Sequence, residues 1–183
     1  MRKASLIFSI AALAILLSCS KENEKTLFAS QETKIEQLIS SLISSDTDGS
    51  AYTVSCNGSQ RVVLSDGEGP ELTSSGTVTF QYAGYYLSSA SLSSSNLFDT
   101  NISELASSLG WDVSNTEKYE LAVEKMSDKN LVKGLYNGLL GVKAGEDCYV
   151  LFSGKYGFGK QTLGIIPSNS ALAYHLLIID VSE

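Results

Sequence analysis

Between Ala51 and Glu183 one stretch stands out as able to form a helix with a continuous apolar face: "NLVKGLYNGLLGVKAG", residues 130–145. Leu131, Leu135, Leu139 and Val142 recur on one side of a 3.6-residue helix, and Gly145 is placed to end it. Around this stretch the chain follows another pattern. The runs "AYTVSC", "QRVVLSDG", "TVTFQYAGYYL", "KYELAV", "DCYVLFS" and "ALAYHLLIIDV" are rich in β-branched and aromatic residues, most of them bounded by Gly, Asp, Asn or Ser. The economical solution is an α+β domain in which a mainly antiparallel sheet wraps around one central helix. Residues 51–183 are enough for one such domain with a sizeable core.

The other end of the chain reads differently. "MRKASLIFSIAALAILLSCSKENEK" places Arg2 and Lys3 before an apolar run from Leu6 to Leu17. That run is too short to cross a hydrocarbon core of about 30 Å, which takes roughly 20 residues, so it predicts a secretory leader over residues 1–18. "LLSC" resembles a bacterial lipobox, which implies lipidation of Cys19 as the first residue of the mature chain; the alternative is an ordinary cleaved leader with an incidental cysteine. A diacylglycerol thioether plus an amide-linked acyl chain exceeds the single lipid whose hold is marginal. The expected location is the bacterial cell envelope, on the outer membrane, at its periplasmic or its surface face. Residues 19–50 then form a tether and a short amphipathic helix, because Ile35, Leu38, Ile39, Leu42 and Ile43 are spaced for one helical face.

Charge narrows the partners. The sequence carries 13 basic and 20 acidic side chains, and loss of Arg2 and Lys3 takes the net charge from −7 to −9. No basic face for nucleic acid is to be expected, which leaves proteins, peptides or small molecules. Cys56 and Cys148 exclude a disulfide framework and leave two alternatives, one bridge or a buried free thiol within the strand "EDCYVLFS". The lone His175 has no company for a metal site, and no metal or cofactor is expected. Two further stretches read as insertions: "SSASLSSSN", residues 88–96, as a mobile flap, and "NISELASSLGW", residues 101–111, as a short capped helix with Ile102, Leu105 and Leu109 inward.

No nucleophile elbow, zinc-protease helix or phosphate loop occurs. Apolar and aromatic residues at segment ends recur instead: Tyr82, Phe98, Tyr119, Leu131, Val132, Tyr156, Phe158, Ile165, Ile166 and Tyr174. Any one of these taken alone is more often plain core.

Taken in order, "VTFQYAGYY", "LFDT", "LVKGLYNGLLGVKAGEDCYVLFSGKYGFG" and "GIIPSNSALAYHLLIIDV" resemble the successive blocks of FKBP-type peptidyl-prolyl cis/trans isomerases, from about Gln60 to Val181. The resemblance implies an FKBP-like antiparallel half-barrel around the central helix, with a hydrophobic cup at its mouth and Ile165 and Ile166 on a loop overhanging it. It implies catalytic roles for Tyr82, Phe98, Asp99, Val132, Ile166 and Tyr174, and substrate-binding roles for Tyr119, Leu131, Leu135, Phe158 and Ile165. Asp99 would be a buried carboxylate in the cup wall, and the Val132 N–H would bind a ligand carbonyl. Tyr156 would pack under the loop. The chain departs from the family pattern at two of these places and at a third in the loop. Leu135 stands where active members have a tryptophan floor, Phe158 where they have a tyrosine, and Ser168 where a second proline follows Pro167. The implied partners are proline-containing unfolded or exported proteins, served either by an isomerase of reduced activity or by a non-catalytic chaperone or peptide-binding module on the same fold. Oligomeric state is left open.

Overall fold

The computed structural model describes the backbone from Lys3 and the side chains from Lys21 onward; the side chains of the expected leader, residues 1–18, and of the expected lipidation site Cys19 fall outside the described residues. A helix, α1 (Lys3–Ser45), precedes seven strands: β1 (Tyr52–Cys56), β2 (Ser59–Ser65), β3 (Thr77–Tyr86), β4 (Leu97–Thr100), β5 (Ala122–Lys125), β6 (Asp147–Phe152) and β7 (Leu172–Ser182). Two short helices, α2 (Ser103–Ser108) and α3 (Lys133–Leu139), lie between them. The sheet runs β1-β2-β6-β7-β3-β4 with every pair antiparallel, and β5 adds to β3 beside β4.

Strand β3 holds this arrangement together. One edge pairs with β7 along its whole length, while the other is shared, Thr77–Phe80 by β5 and Ala83–Tyr85 by β4. The main chain of Phe80 and Tyr82 at the gap would lack partners, and buried backbone groups left unpaired are costly. Asn101 supplies them: its Oδ1 accepts from the Tyr82 N–H at 2.7 Å, and its Nδ2 donates to the carbonyls of Phe80 at 3.1 Å and Glu120 at 3.0 Å. One buried side-chain amide stands in for a residue of β-strand.

The two faces of the sheet follow the period-two rule. Cys148, Val150 and Phe152 of β6 and Leu172, Tyr174, Leu176 and Ile178 of β7 point to the inner core with Leu135, Leu139 and Val142. Val62, Leu151 and Ala173 point to the outer side, where Ile35 and Leu38 of α1 cover them. The amphipathic spacing in α1 thus serves its own domain, with Ile39 and Leu42 partly buried and Ile43 left exposed.

Helix α3 is shorter than the apolar pattern predicts. It ends at Leu139, and Gly141, at φ +84°, turns the chain away. Arg61, buried in β2, explains the stop: its Nη1 donates to the carbonyls of Gly138 at 2.8 Å and Leu140 at 2.9 Å, so a side chain takes bonds that a further turn would have made. Its Nε lies 3.1 Å from Glu146 Oε1, a buried ion contact outside hydrogen-bonding angles. Gly145 serves the turn into β6 instead, donating its N–H to the Ile178 carbonyl at 2.8 Å.

Other expectations shift for local reasons. "KYELAV" starts as a 3-10 turn, Thr116–Tyr119, and becomes strand only at Ala122. The flap expected at residues 88–96 is pinned: buried Asn96 donates to Ser88 Oγ at 2.8 Å, and the Lys34 ammonium donates to the Ser88 carbonyl at 3.0 Å. In α2 the buried residue is Ala106, while Ile102, Leu105 and Leu109 are half-buried, and the N-cap Ile102 offers no side-chain bond. Of the two alternatives for the cysteines the free thiols hold, with Cys148 buried and Cys56 half-buried.

Candidate active site

Where the inner core runs out toward the start of α3, the sheet and helix enclose a cavity of about 270 Å³. β3 contributes Phe80 and Tyr82, β7 contributes Tyr174, and β4 contributes Phe98 and Asp99. The segment entering α3 supplies Asn130, Leu131 and Val132, and the helix supplies Leu135 as a 4% exposed floor. Phe158 comes from the loop after β6.

The aromatic wall depends on one missing side chain. A Cβ on Gly84 would meet the Phe98 ring at 2.8 Å and the Tyr174 ring at 3.0 Å. Glycine therefore lets the edge of Phe98 stand on Tyr174, centroids 5.8 Å apart at 84°, and Phe158 stand on Phe98 at 6.4 Å and 81°. Such edge-to-face pairs add about 0.5–1.5 kcal/mol each beyond their buried area. Tyr82 closes the set 6.4 Å from Tyr174.

The polar groups of the cup are set by the same packing. Tyr82 donates its hydroxyl to Asp99 Oδ2 at 2.7 Å. Burial first, and then this carboxylate, push the Tyr82 phenol well above its ordinary value; burial followed by Asp99 does the same to Tyr174. Both hydroxyls stay protonated at any pH the folded chain meets in a cell. Asp99 departs from the buried carboxylate that the sequence implies: its side chain is 42% exposed, because β4 is an edge strand and Oδ1 turns outward to Lys118 Nζ at 3.7 Å. At the N-cap of α3, the Val132 N–H has no acceptor among the described residues.

The structure thus brings together Tyr82, Phe98, Asp99, Leu131, Val132, Leu135, Phe158 and Tyr174, and leaves three expected residues off this wall. Ile166 is 5% exposed and packs into the inner core, its main chain paired reciprocally with Leu163 at 2.9 and 3.1 Å. Ile165, next to it, projects outward. Tyr119 lies in the 3-10 turn and donates its hydroxyl to the Asp112 carbonyl at 3.1 Å. Tyr156 is partly buried against the inner core and covers Gly58 in the β1–β2 turn, with Lys133 Nζ 5.5 Å and Lys155 Nζ 5.3 Å from its ring.

Sequence reasoning missed Phe80, Ala122, Glu124 and Asn130. Phe80 was within reach, two residues before Tyr82 and so on the same face of a strand. Asn130 directly precedes Leu131. Ala122 and Glu124 arrive only through the pairing of β5 with β3, which no local pattern announces. Among the described residues no group of three His, Cys, Asp or Glu could hold a metal ion.

Known proteins share this architecture. FkpA from Escherichia coli is 19% identical with a TM-score of 0.55, the match covering 100% of this chain and 74% of that one. A wheat FKBP73 structure containing three FKBP domains is 17% identical with a TM-score of 0.56, covering 72% of this chain and 50% of its own. The N-terminal domain of FKBP42 from Arabidopsis thaliana is 15% identical with a TM-score of 0.54, covering 72% and 93%. At these identities the likeness is one of fold, and the chain spans half the length of the wheat protein chain. No curated protein sequence matches. A model of FKBP-type peptidyl-prolyl cis-trans isomerases matches residues 69–179, a span that takes in β3 to β6, most of β7, α3 and every residue of the cup wall. With more than half of the chain matched, the protein belongs to the FKBP-type peptidyl-prolyl cis-trans isomerase family.

Proposed function

We propose that the chain accelerates cis/trans isomerisation of X–Pro bonds in unfolded, exported polypeptides, holding the proline in the cup. The observation that carries this is the aromatic cavity itself, whose walls are Phe80, Tyr82, Phe98, Phe158 and Tyr174 and whose two phenols stay neutral. The uncatalysed barrier is ~18–20 kcal/mol, because resonance holds the amide planar and places charge on its oxygen and nitrogen. A twisted amide loses that resonance and much of the charge separation. A water-poor apolar cup therefore favours the twisted state over the planar one, which is differential binding of the transition state without a nucleophile. The free Val132 N–H is available to a carbonyl of the peptide, fixing its orientation. Each tenfold in rate requires about 1.4 kcal/mol, on the scale of a few such contacts.

The setting proposed is the bacterial envelope, with the mature chain held through lipid on Cys19 and α1 between lipid and cup. Replacement of Cys19 by Ala should move the protein from the membrane fraction to the soluble one; unchanged retention would sink the anchor. A net charge of −9 without the leader favours unfolded protein clients over nucleic acid.

A second reading has one specific observation in its favour. The floor is Leu135 and the nearby loop residue is Phe158, so the cup lacks an indole face and one carbonyl donor. A chain like this could grip apolar segments without turnover. A protease-coupled assay with a proline peptide separates the two. The isomerase reading expects acceleration by the natural chain, reduced by Asp99→Ala in a folded variant. If neither the natural chain nor a folded Leu135→Trp, Phe158→Tyr double variant accelerates isomerisation, the binding module is the correct reading.

A further inference from the structure

On the side of the cup where the chain enters α3 lies a further concavity of about 340 Å³, lined by Lys129, Leu131, Lys133, Tyr136 and Asn137. Lys155 joins it across the ring of Tyr156. We infer that this basic notch is a subsite for an acidic side chain, Asp or Glu, of the same polypeptide whose proline occupies the cup. The inference rests on the proline reading of the cup and adds a charge preference to it.

Charge is the first argument. The chain carries 20 acidic against 13 basic side chains, and three lysines of the domain pair with carboxylates: Lys118 with Asp99, Lys143 with Glu71 and Lys160 with Glu24. Lys129, Lys133 and Lys155 form no ion pair among the described residues. Asp128, beside Lys129 in the chain, accepts from the Ser127 hydroxyl at 3.1 Å instead. Lys133 Nζ and Lys155 Nζ lie 5.5 and 5.3 Å from the centre of the same Tyr156 ring. The ring attracts each ammonium, and in doing so it gathers two like charges without a counter-ion. A carboxylate beside them offsets that repulsion.

The notch is also built on a rigid base. Lys129 has φ +53° and ψ 36°, the left-handed region that glycine or asparagine adopts more easily than lysine. Lys133 opens α3, which Gly134 and Gly138 hold close against β6. Asn137, buried, donates to the Asn57 carbonyl at 2.8 Å and ties the helix to the β1–β2 turn. The half-buried Tyr136 makes no side-chain hydrogen bond among the described residues, which leaves its hydroxyl free to donate to a carboxylate.

Continuity ties the notch to the substrate. Leu131 lines both the cup and the notch, so a peptide leaving the cup over that side chain meets the lysines. An extended chain advances roughly 3.3 Å per residue, which places the acidic residue within about three positions of the proline. The three lysines are exposed, so ammonium and carboxylate meet without full loss of water from either.

The test uses the full-length protein and acetylated, amidated alanine peptides with one central proline, each carrying a single Glu, or its uncharged isostere Gln, at one of the three positions on either side. Isomerisation is followed by NMR exchange. At the best position KM for the Glu peptide should be about fivefold below that for the Gln peptide, with kcat unchanged, the scale of two exposed charge contacts. That ratio should fall toward one in about 0.5 M salt. Lys133→Gln with Lys155→Gln should erase the ratio and leave the rate on the Gln peptide unchanged. Lys133→Glu with Lys155→Glu should invert it, giving a Lys peptide the lower KM, a result that loss of structure does not produce. Equal KM for Glu and Gln peptides at every position would overturn the subsite while the proline reading stands, and so would a Glu preference that survives the double Gln variant. Binding of the Cys19→Ala chain to phosphatidylglycerol vesicles through these lysines, with no Glu preference among peptides, would assign the patch to lipid headgroups and overturn the subsite as well. If no peptide is isomerised, the proline reading fails, and peptide titration then decides the notch alone: tighter binding of the Glu peptide, lost in the double Gln variant, retains it as a site for acidic segments, and equal binding removes it.

Discussion

The two faces of the sheet are each covered by a helix, and the helices do this in opposite ways. On the inner side α3 has seven residues, and its glycines lie flush on β6: any Cβ at Gly134 would overlap the Phe152 ring, and any at Gly138 would overlap Val150. On the outer side α1 is long but reaches the sheet with Ile35 and Leu38 as its buried apolar contacts, over a patch that includes two alanines, Ala171 and Ala173. Closeness on the inner side is bought by the absence of side chains, and it fixes the cup, because Leu135 and Val132 stand wherever α3 stands. Looseness on the outer side makes α1 an annex whose apolar loss the fold can survive. Helix length is therefore a poor guide to how much a helix determines.

The largest break of this contrast comes from filling the inner gap. Gly134→Val forces three carbon atoms into the space of the Phe152 ring, which has no flexible end to yield. Overpacking of this kind costs about 3 kcal/mol or more, roughly 10 °C in Tm for a chain of this size. Thermal unfolding should show the drop, and isomerisation should fall with it because α3 is displaced. A Gly134→Val chain with unchanged Tm would mean that α3 does not sit flush.

The matching change on the outer face is smaller and leaves function alone. Ile35 is 1% exposed against Val62, Leu151 and Ala173, and Ile35→Ala should cost about 2 kcal/mol, the low end for such truncations because a surface patch can close partly over the gap. Urea unfolding measures the cost, and kcat/KM on a proline peptide should stay within about twofold. Residues 51–183 alone should then still unfold cooperatively, at reduced stability. Loss of the transition would place α1 in the core.

Tyrosines sharpen the same contrast through pH. Tyr149, on the outer side and stacked on His175 at 4.4 Å, has its phenol pushed up to about 12, by burial first and then by the charges of Tyr85 and Asp147. A folded pKa above the unfolded value of 10 means that the folded chain binds the proton more tightly. The stabilisation is complete below pH 10 and is lost as pH rises through about 12. At pH 11 the loss amounts to up to about 1.4 kcal/mol. Tyr149→Phe should shrink the fall in urea stability between pH 9 and pH 11, and an identical fall in the variant would assign it to other groups. Below pH 10 neither Tyr82 nor Tyr174 ionises, so they add no alkaline limb to the activity.

The sequence made the inner face legible and the seams illegible. The apolar and aromatic runs "DCYVLF" and "LAYHLLII" were enough to predict β6 and β7, and the apolar repeat in α3 marked its buried side. The cup wall followed from block resemblance because Tyr82, Phe98 and Tyr174 sit at strand positions whose order the family shares. What could not be seen depends on partners far along the chain. Arg61 stops α3 from 77 positions away, Asn101 ties β3 to the segment before β5, and Asp99 is exposed because β4 became an edge. Each is a polar side chain whose role is set by a tertiary neighbour, and local period carries no information about that.

One residue joins the two faces, and it gives the finest test. Gln31 of α1 is buried, accepts from the Gly154 N–H at 2.9 Å and donates to the Asn169 carbonyl at 2.6 Å. Those two main-chain groups are the feet of the loop that carries Leu163, Ile165 and Ile166, so the annex grips the loop by its base. Gln31→Ala leaves a buried donor and a buried acceptor with water as their best substitute, at about 1 kcal/mol in urea unfolding. The effect on function should exceed what stability alone explains: KM for a proline peptide should rise severalfold, with kcat nearly unchanged, because the loop loses its fixed position while the cup keeps its wall. Glu24→Ala is the control, since its ion pair with Lys160 at 2.5 Å joins the same helix to the same loop through a 73% exposed lysine, where such pairs are worth little. It should change neither stability nor KM. If Gln31→Ala lowers stability without raising KM, α1 touches the loop without positioning it, and the two faces of the sheet work independently.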